Sequence, residues 1–228
     1  MTDTLLDVYH RLFDRYGRQH WWPADGPFEV IIGAILTQSA AWSNVEKAIN
    51  NLKAGSLLSV DALLRLSVEE LARLVYPSGY YNVKTAKIKS FVHWLSEHYD
   101  GSLERLFSLE GPLLRRELLS VHGVGEETAD SIILYAAHKP VFVIDAYTRR
   151  IAGRLGLAPQ ANSYAAWQDL FMRHLPHDES LFNEYHALFV CHGKSICKKT
   201  PHCERCCLAS LCLLPTASAG ASLQHSHP

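Results

Sequence analysis

Nearly every segment of this 228-residue sequence repeats apolar residues at three- and four-residue spacing, the pattern of an amphipathic α-helix. The first stripe comprises Leu5, Val8, Tyr9, Leu12, Phe13 and Tyr16. Further helices are predicted at about 28–37, 41–53, 58–65, 68–75, 83–98, 111–120, 126–137, 145–155, 164–173 and 179–191. Strand-like alternation is almost absent, since "VFVI" at 141–144 is a short apolar run between two helices. The sequence therefore predicts an all-α chain with short connections.

Composition and charge narrow the class of protein. The chain is 48% hydrophobic and 20% charged with a net charge of −1, which is typical of a soluble globular protein and requires any nucleic-acid surface to be local. The longest apolar run, "VIIGAIL" at 30–36, is too short to span a membrane. Asp3 and Asp7 stand where a signal peptide needs basic and then apolar residues. We therefore expect a cytoplasmic protein with no membrane partner.

All six cysteines lie between positions 191 and 212. In a reducing compartment such a group indicates a metal or iron–sulfur site rather than a disulfide framework. The four that follow the pattern C-x5-C-x2-C-x5-C are Cys197, Cys203, Cys206 and Cys212. A zinc ribbon usually has two close pairs, whereas one close pair flanked by wider gaps favours a [4Fe–4S] cluster. Zinc remains the alternative, and Cys191 or Cys207 could replace one of the four ligands.

A glycine turn, Gly123-Val124-Gly125, joins two helical segments within "LLSVHGVGEETADSIILYA". Its glycines permit positive φ and close backbone approach, and the amides entering the next helix can hold a phosphate without a basic side chain. A tight helical hairpin with no ligand is the alternative interpretation. Glu126 and Glu127 follow the turn, where carboxylates complement the helix dipole and are compatible with such binding.

Charged residues stand at two further informative places. Asp145 follows "VFVI" and precedes a helix, so its side chain is expected to cap that helix. Lys194, with Lys198, Lys199 and Arg205, lies in the cysteine segment. These cations could follow a DNA backbone, or they could balance an anionic cluster.

Together these motifs resemble the endonuclease III superfamily, the helix–hairpin–helix DNA glycosylases of base excision repair. The resemblance covers about residues 5–213 and rests on the cysteine loop with "LTQSAAWSNVEKA", "GYYNVKTAKI", "VHGVGEETAD" and "VFVIDAYTRRIAGRLG". It implies two helical lobes, a six-helix barrel at 28–137 ending in the hairpin and a second lobe of 1–27 and 138–213 carrying the cluster. The small polar tail at 214–228 is expected to be disordered. The implied partner is duplex DNA with a damaged base, held between the lobes of a nucleoid-associated monomer.

The same resemblance implies the chemistry. Asp145 would be the catalytic carboxylate near the deoxyribose C1′, where it stabilises an oxocarbenium-like transition state or activates water. Bifunctional members of the superfamily carry a lysine two residues after the second glycine, and its amine forms a Schiff base that leads to strand cleavage. This chain has Glu127 there, and a carboxylate cannot form an imine. We therefore predict a glycosylase without lyase activity.

The aromatic motifs "WWP" and "PSGYYNVK" resemble in particular the 3-methyladenine DNA glycosylase III branch, which also has a glutamate at the lyase position. The predicted base pocket comprises Trp21, Trp22, Pro23, Trp42 and Glu127. Each tryptophan taken alone is more typical of core packing. Gln38 would fill the space left by the flipped base and Tyr80 would wedge against the opposite strand. A polar helix end and a turn aromatic are the alternatives for these two positions.

The leading hypothesis is therefore an enzyme that hydrolyses the N-glycosidic bond of N-alkylated purines such as 3-methyladenine. Their positive charge suits an aromatic cage, where cation–π attraction contributes about 0.5–2 kcal/mol. One alternative is a bifunctional endonuclease III-type glycosylase and lyase for oxidised pyrimidines. Another is a non-catalytic DNA-binding module. The first cysteine gap is one residue shorter than the C-x6-C-x2-C-x5-C of the family, so the ligand set remains open.

Overall fold

The computed structural model describes residues 1–214, and over this range the protein is helical with no β-strand. The helices are α1 (Thr2–Tyr16), α2 (Pro27–Leu36), α3 (Trp42–Ala54), α4 (Val60–Arg65), α5 (Val68–Val75), α6 (Tyr81–Tyr99), α7 (Leu103–Phe107), α8 (Gly111–Ser120), α9 (Glu126–Tyr135), α10 (Ala146–Arg154), α11 (Tyr164–His174) and α12 (Glu179–Ser195). Short 3₁₀ turns span Tyr76–Ser78, Cys203–Arg205 and Ala209–Leu211. The predicted all-α fold is confirmed.

Each helix predicted from periodicity is present, and α7 is the one in the described range that periodicity missed. α7 has only five residues, begins at a Ser102 cap and buries Leu106 alone, so it is too short to show a stripe. The "VFVI" run forms no strand. Its last three residues are buried in a non-helical link that leads into α10. The predicted disordered tail lies outside the described residues apart from Leu214.

The chain divides into two compact units. The terminal unit consists of Met1–Trp21 together with Ile144 onward, and the central unit consists of Trp22–Val143. The barrel limits expected at 28 and 137 lie inside those of the central unit.

In the central unit, α2 is surrounded by other helices. It contacts α3, α6 and α9, and every residue from Glu29 to Leu36 is buried. Burial on all sides favours apolar side chains all round, which explains the run "VIIGAIL". The one buried charge of the helix, on Glu29, is paired with Lys53 at 2.7 Å. None of the helices within residues 1–214 is both long and apolar enough to cross a membrane.

In the terminal unit, α12 packs against α1 and α10. Tyr185 of α12 stacks on Phe189 with ring centroids 4.7 Å apart, and its hydroxyl donates to the carbonyl oxygen of Leu5 at 2.8 Å. Burial raises the pKa of Tyr185 well above its ordinary value. This packing fixes α12 beside the start of α10, where the candidate catalytic carboxylate lies.

Candidate functional site

The predicted glycine turn connects α8 to α9 in the central unit. Gly123 has a φ of +88°, in the region that favours glycine, and a Cβ added there would collide with the Cγ of Lys87. Gly125 is the N-cap residue of α9, and no side chain caps this helix end. Gly125, Glu126 and Glu127 are all exposed. The turn therefore offers helix-terminal N–H groups from which an anion can accept hydrogen bonds.

An ion pair with a buried carboxylate links the two helices of this hairpin. Arg115 of α8 donates to Asp130 of α9 through Nε at 2.7 Å and Nη2 at 3.2 Å. The Asp130 side chain is fully buried, while 27% of the Arg115 side chain is exposed. The hydrogen bond to Asp130 raises the pKa of Arg115. Nothing in the local sequence predicts this pair, because its two residues meet only when the hairpin closes.

Asp130→Ala is expected to lower the free energy of unfolding by about 1–3 kcal/mol, because the partly buried Arg115 guanidinium loses its buried carboxylate and keeps only the 3.4 Å ion pair with Glu126. Urea unfolding followed by circular dichroism measures the loss. The matched control is Asp169→Ala, which removes an i,i+4 pair with Arg173 whose side chains are 49% and 73% exposed, and it should cost less than about 1 kcal/mol. Equal losses in the two variants would contradict a clamping role for Asp130.

Gln38 lies against the hairpin. Its Nε2 donates to the carbonyl oxygen of Gly123 at 3.1 Å and to Oγ1 of Thr128 at 2.9 Å. Lys87 Nζ donates to Oε1 of Gln38. Insertion of Gln38 into DNA would therefore require these hydrogen bonds to break and be replaced by contacts with the DNA.

Tyr80 stands at the start of α6 with 73% of its surface exposed. Its backbone is left-handed, with φ 45° and ψ 34°, which is rare for a bulky residue and marks strain or function. Gly79 before it has a φ of +67°. An exposed aromatic ring held on such a turn is suited to contact a partner.

The aromatic residues predicted for the base pocket fall into separate groups. Trp22 and Trp42 meet edge to face with ring centroids 5.3 Å apart, and Trp22 also contacts Tyr135 of α9 at 5.4 Å. Close approach of Trp22 to α2 depends on Gly33, where an added Cβ would lie 3.2 Å from its Cζ2. Trp22, Pro23 and Trp42 line a cavity of about 100 Å³ in the central unit. The other lining residues are Glu29, Gly33, Glu46, Ile49, Asn50 and Lys53.

The other two predicted pocket residues lie elsewhere. Glu127 is on the first turn of α9. Trp21 belongs to the terminal unit, where the Nζ of Lys194 lies 5.7 Å from the centroid of its ring. Trp21 thus forms a cation–π contact with a lysine that was predicted to touch the DNA backbone.

Asp145 occupies the N-cap of α10, as its place after "VFVI" predicts. Its Oδ1 accepts from the Thr148 amide at 2.7 Å, and its Oδ2 lies 3.6 Å from Nε2 of His186. Only 12% of the Asp145 side chain is exposed. Burial by itself would raise the pKa of Asp145, but His186 and Thr148 outweigh it and hold the pKa below its ordinary value of 3.8. The site therefore contains a nearly buried carboxylate that stays ionised.

Two residues of α12 complete this environment. His186 was not predicted from the sequence, because a lone histidine on an apolar helix gives no signal until that helix packs against α10. Burial lowers the pKa of Lys194, and the charge of Asp145 opposes that shift. Lys194 thus lies on the last turn of α12 with an exposed side chain, close enough for the charge of Asp145 to act on it.

The four nominated cysteines line one small cavity in the terminal unit. The remaining lining residues are Arg154, Ile196, Pro201, Ala209 and Leu214, and Cys191 and Cys207 are not among them. Within residues 1–214, no three histidine, cysteine or carboxylate side chains converge as ligands of a single metal ion. The four thiols are instead arranged around a common space.

Two further side chains contact the sulfurs of this cavity. Arg154 Nη1 donates to Sγ of Cys197 at 3.1 Å, and Nε2 of His192 lies 3.4 Å from Sγ of Cys206. The Nδ1 of His192 is in turn 2.8 Å from the hydroxyl of Tyr16. Nothing in the sequence motif predicted these contacts, because each joins residues at least 14 positions apart in the chain.

The chain matches the HhH-GPD superfamily of base excision DNA repair proteins over residues 32–177. It is 42% identical over 213 residues to a protein of Methanocaldococcus jannaschii named "Putative DNA repair glycosylase", an alignment covering 92% of this chain and 96% of that relative. Its fold is similar to endonuclease III in a non-covalent complex with DNA, with a TM-score of 0.80, 23% identity and coverage of 93% and 95% of the two chains. It is also similar to a 3-methyladenine DNA glycosylase from H. pylori bound to 1,N6-ethenoadenine, with a TM-score of 0.71, 24% identity and coverage of 85% and 95%.

The helical fold, the hairpin with no side-chain cap at the start of α9, and these matches define a helix–hairpin–helix repair protein. The chain belongs to the HhH-GPD superfamily of base excision DNA repair proteins. The predictions of family and of DNA glycosylase activity are confirmed. The alternative of a non-catalytic module is accordingly set aside.

Proposed function

We propose that this glycosylase is monofunctional and removes N-alkylated purines such as 3-methyladenine from duplex DNA. The observation that carries the monofunctional part is Glu127, an exposed carboxylate on the first turn after Gly125. The lyase reaction needs an amine at this position, since only an amine can form the Schiff base. Hydrolysis with water as the nucleophile is the reaction left to such a site.

Asp145 is the proposed catalytic residue. Cleavage of the glycosidic bond develops positive charge on the sugar, and an ionised carboxylate in a desolvated site stabilises that charge strongly. The hydrogen bond from Thr148 and the proximity of His186 support this role, because they keep the carboxylate ionised and fixed in direction. Stabilisation of the cation and activation of water are both compatible with this arrangement.

The substrate class is supported by the aromatic residues of the central unit. Trp22 and Trp42 line a cavity with Glu46 and with Glu29, whose carboxylate is paired with the Lys53 ammonium at 2.7 Å. Aromatic faces favour a cationic base over a neutral one, and the carboxylate of Glu46 adds to that preference. The H. pylori glycosylase with its bound ethenoadenine supports a damaged purine as the ligand class.

DNA contact is proposed at four places. The amides of the Gly123–Gly125 turn would hold a backbone phosphate. Gln38 and Tyr80 would enter the duplex around the flipped base, and Lys194 would contact the backbone near Asp145. We take the protein to act as a monomer on chromosomal DNA in the cytoplasm.

A bifunctional enzyme for oxidised pyrimidines is the second candidate. The likeness to the endonuclease III fold over 93% of this chain favours it. Glu127 argues against this candidate, because a shared fold does not imply a shared reaction and the lyase reaction needs an amine at this position.

A panel of duplexes tests the substrate class, each with one defined lesion and incubated with the full-length protein. We expect release of 3-methyladenine and 1,N6-ethenoadenine, measured by chromatography of the free bases, with no release of thymine glycol. Strand breaks should appear only after alkali treatment of the product. Release of thymine glycol with strand cleavage would overturn the proposal in favour of the second candidate.

We further propose that Cys197, Cys203, Cys206 and Cys212 hold a [4Fe–4S] cluster. Four thiols around one space with apolar walls match a cube with iron at separate corners. When bound, the cluster supplies cross-links that pin the C-terminal loop. Arg154 and His192 would donate hydrogen bonds to its thiolate ligands.

Purified protein is expected to be brown and to contain about four iron atoms per chain. Cys206→Ser should lose most of this iron and the absorbance that accompanies it, because one corner of the cube loses its ligand. Cys207→Ser is the matched control at the adjacent position, and it should keep the metal content of the wild type. A colourless protein with one zinc per chain would contradict the cluster.

A further inference from the structure

We propose that Lys84 is a positioning residue for DNA opening, one that holds the Gln38 and Tyr80 segments together from within the core. This inference rests on the proposed function, in which these two side chains enter the duplex. Lys84 lies on the first turns of α6 and is only 2% exposed. Its Nζ donates to the carbonyl oxygens of Leu36 at 2.8 Å and of Ser78 at 2.6 Å.

These two carbonyls belong to the segments that present the proposed DNA-inserting side chains. Leu36 is the last residue of α2, two positions before Gln38. Ser78 is the last residue of the 3₁₀ turn, two positions before Tyr80. A single buried ammonium therefore joins two loops that are far apart in the sequence.

Each of the two loops contains a residue whose backbone conformation is unfavourable without support from the surrounding structure. Ser39, next to Gln38, has a φ of +53°, and Tyr80 has a φ of +45°. Left-handed backbone at residues with a Cβ is unfavourable and persists only where surrounding contacts determine it. The hydrogen bonds of Lys84 are such contacts, because they hold the carbonyl of Leu36 three positions before Ser39 and the carbonyl of Ser78 two positions before Tyr80.

Helix α6 also reaches the third proposed contact segment. Lys87, one turn after Lys84, donates to Oε1 of Gln38 and packs its side chain on Gly123. The start of α6 thus carries the Tyr80 turn, the Gln38 loop and the hairpin. A shift at Lys84 would displace Gln38 and Tyr80 relative to the phosphate that the hairpin holds.

The same helix offers a matched control. Lys89 Nζ donates to the carbonyl oxygens of Leu63 at 2.6 Å and Leu64 at 3.2 Å, and to that of Leu66. Those carbonyls lie at the end of α4, in a segment with no proposed DNA contact. Lys89 therefore satisfies helix-end carbonyls in the same way as Lys84 but without touching the inserting loops.

The test uses the full-length protein and a duplex containing 2-aminopurine, whose fluorescence rises when it leaves the base stack. Lys84→Met is expected to reduce the opened fraction about tenfold to a hundredfold, the range that small misplacement of a positioned group can cost. Lys89→Met should change it by less than about twofold, although it also removes carbonyl hydrogen bonds. Circular dichroism at the assay temperature verifies that each variant is folded. If Lys84→Met does not fold, the same measurement is made with Lys84→Gln.

A second measurement separates positioning from general destabilisation. In a Gln38→Ala/Tyr80→Ala background, Lys84→Met should have no further effect on opening, because the side chains that it positions are gone. Equal losses in the Lys84→Met and Lys89→Met proteins, or an undiminished Lys84→Met effect in the double-alanine background, would overturn the positioning role alone. Absence of opening by the wild-type protein would instead contradict the proposed DNA-inserting function itself.

Discussion

Replacing Asp145 with asparagine is expected to slow base release by about a hundredfold to ten-thousandfold, the contribution of a positioned acid–base group. The carboxylate is nearly buried, and His186 together with the Thr148 amide keeps its pKa below the ordinary value. Asparagine retains an oxygen that can accept from the Thr148 amide, so the cap of α10 and the fold should persist. Single-turnover release of 3-methyladenine measures the effect, and DNA affinity should change little.

Asp178→Asn provides the matched control for this experiment. Asp178 caps α12 in the same unit, accepting from the Leu181 amide at 2.8 Å, and its side chain is exposed. The substitution is chemically identical, so any loss that comes only from changing a helix cap should appear in both variants. Full activity in Asp145→Asn, or equal losses in both variants, would remove Asp145 from the proposed catalytic step.

Glu127→Lys is expected to convert the enzyme from one that gives no borohydride-trapped product into one that does. Wild-type protein should form no covalent adduct with an abasic-site duplex, because neither a carboxylate nor water can form a reducible imine. A lysine at this position restores the amine of the bifunctional members and should give an adduct visible by denaturing electrophoresis. The site on the first turn of α9 is exposed, so the fold should accept the change.

Glu126→Lys controls for added positive charge at the hairpin. Glu126 is the neighbouring exposed residue, and it makes an ion pair with Arg115 at 3.4 Å whose loss should cost little at the surface. If the lysine of Glu127→Lys forms the adduct because of its position, only that variant should give the borohydride-trapped product. A strong adduct with wild-type protein would show that another amine reaches the sugar, and it would contradict the monofunctional proposal.

The helices could be predicted from the sequence because their signals are local. Apolar spacing and breakers locate every helix in the described range except α7, whose five residues bury a single leucine. The glycine turn and the cap at Asp145 are also local, since each depends on backbone geometry over a few residues. The predicted base pocket was harder to derive. Trp22 and Trp42 share a cavity, whereas Trp21 instead contacts Lys194.

What the sequence alone determined, then, is the all-helical fold class and the glycine turn between two helices, and from Glu127 it predicts that the lyase reaction is absent. Only the tertiary structure decided which groups surround the charged residues. It brought His186 to Asp145, Asp130 to Arg115, and the carbonyls of Leu36 and Ser78 to Lys84. The physical reason is that a buried charge requires partners, and packing supplies them from helices that no local pattern connects.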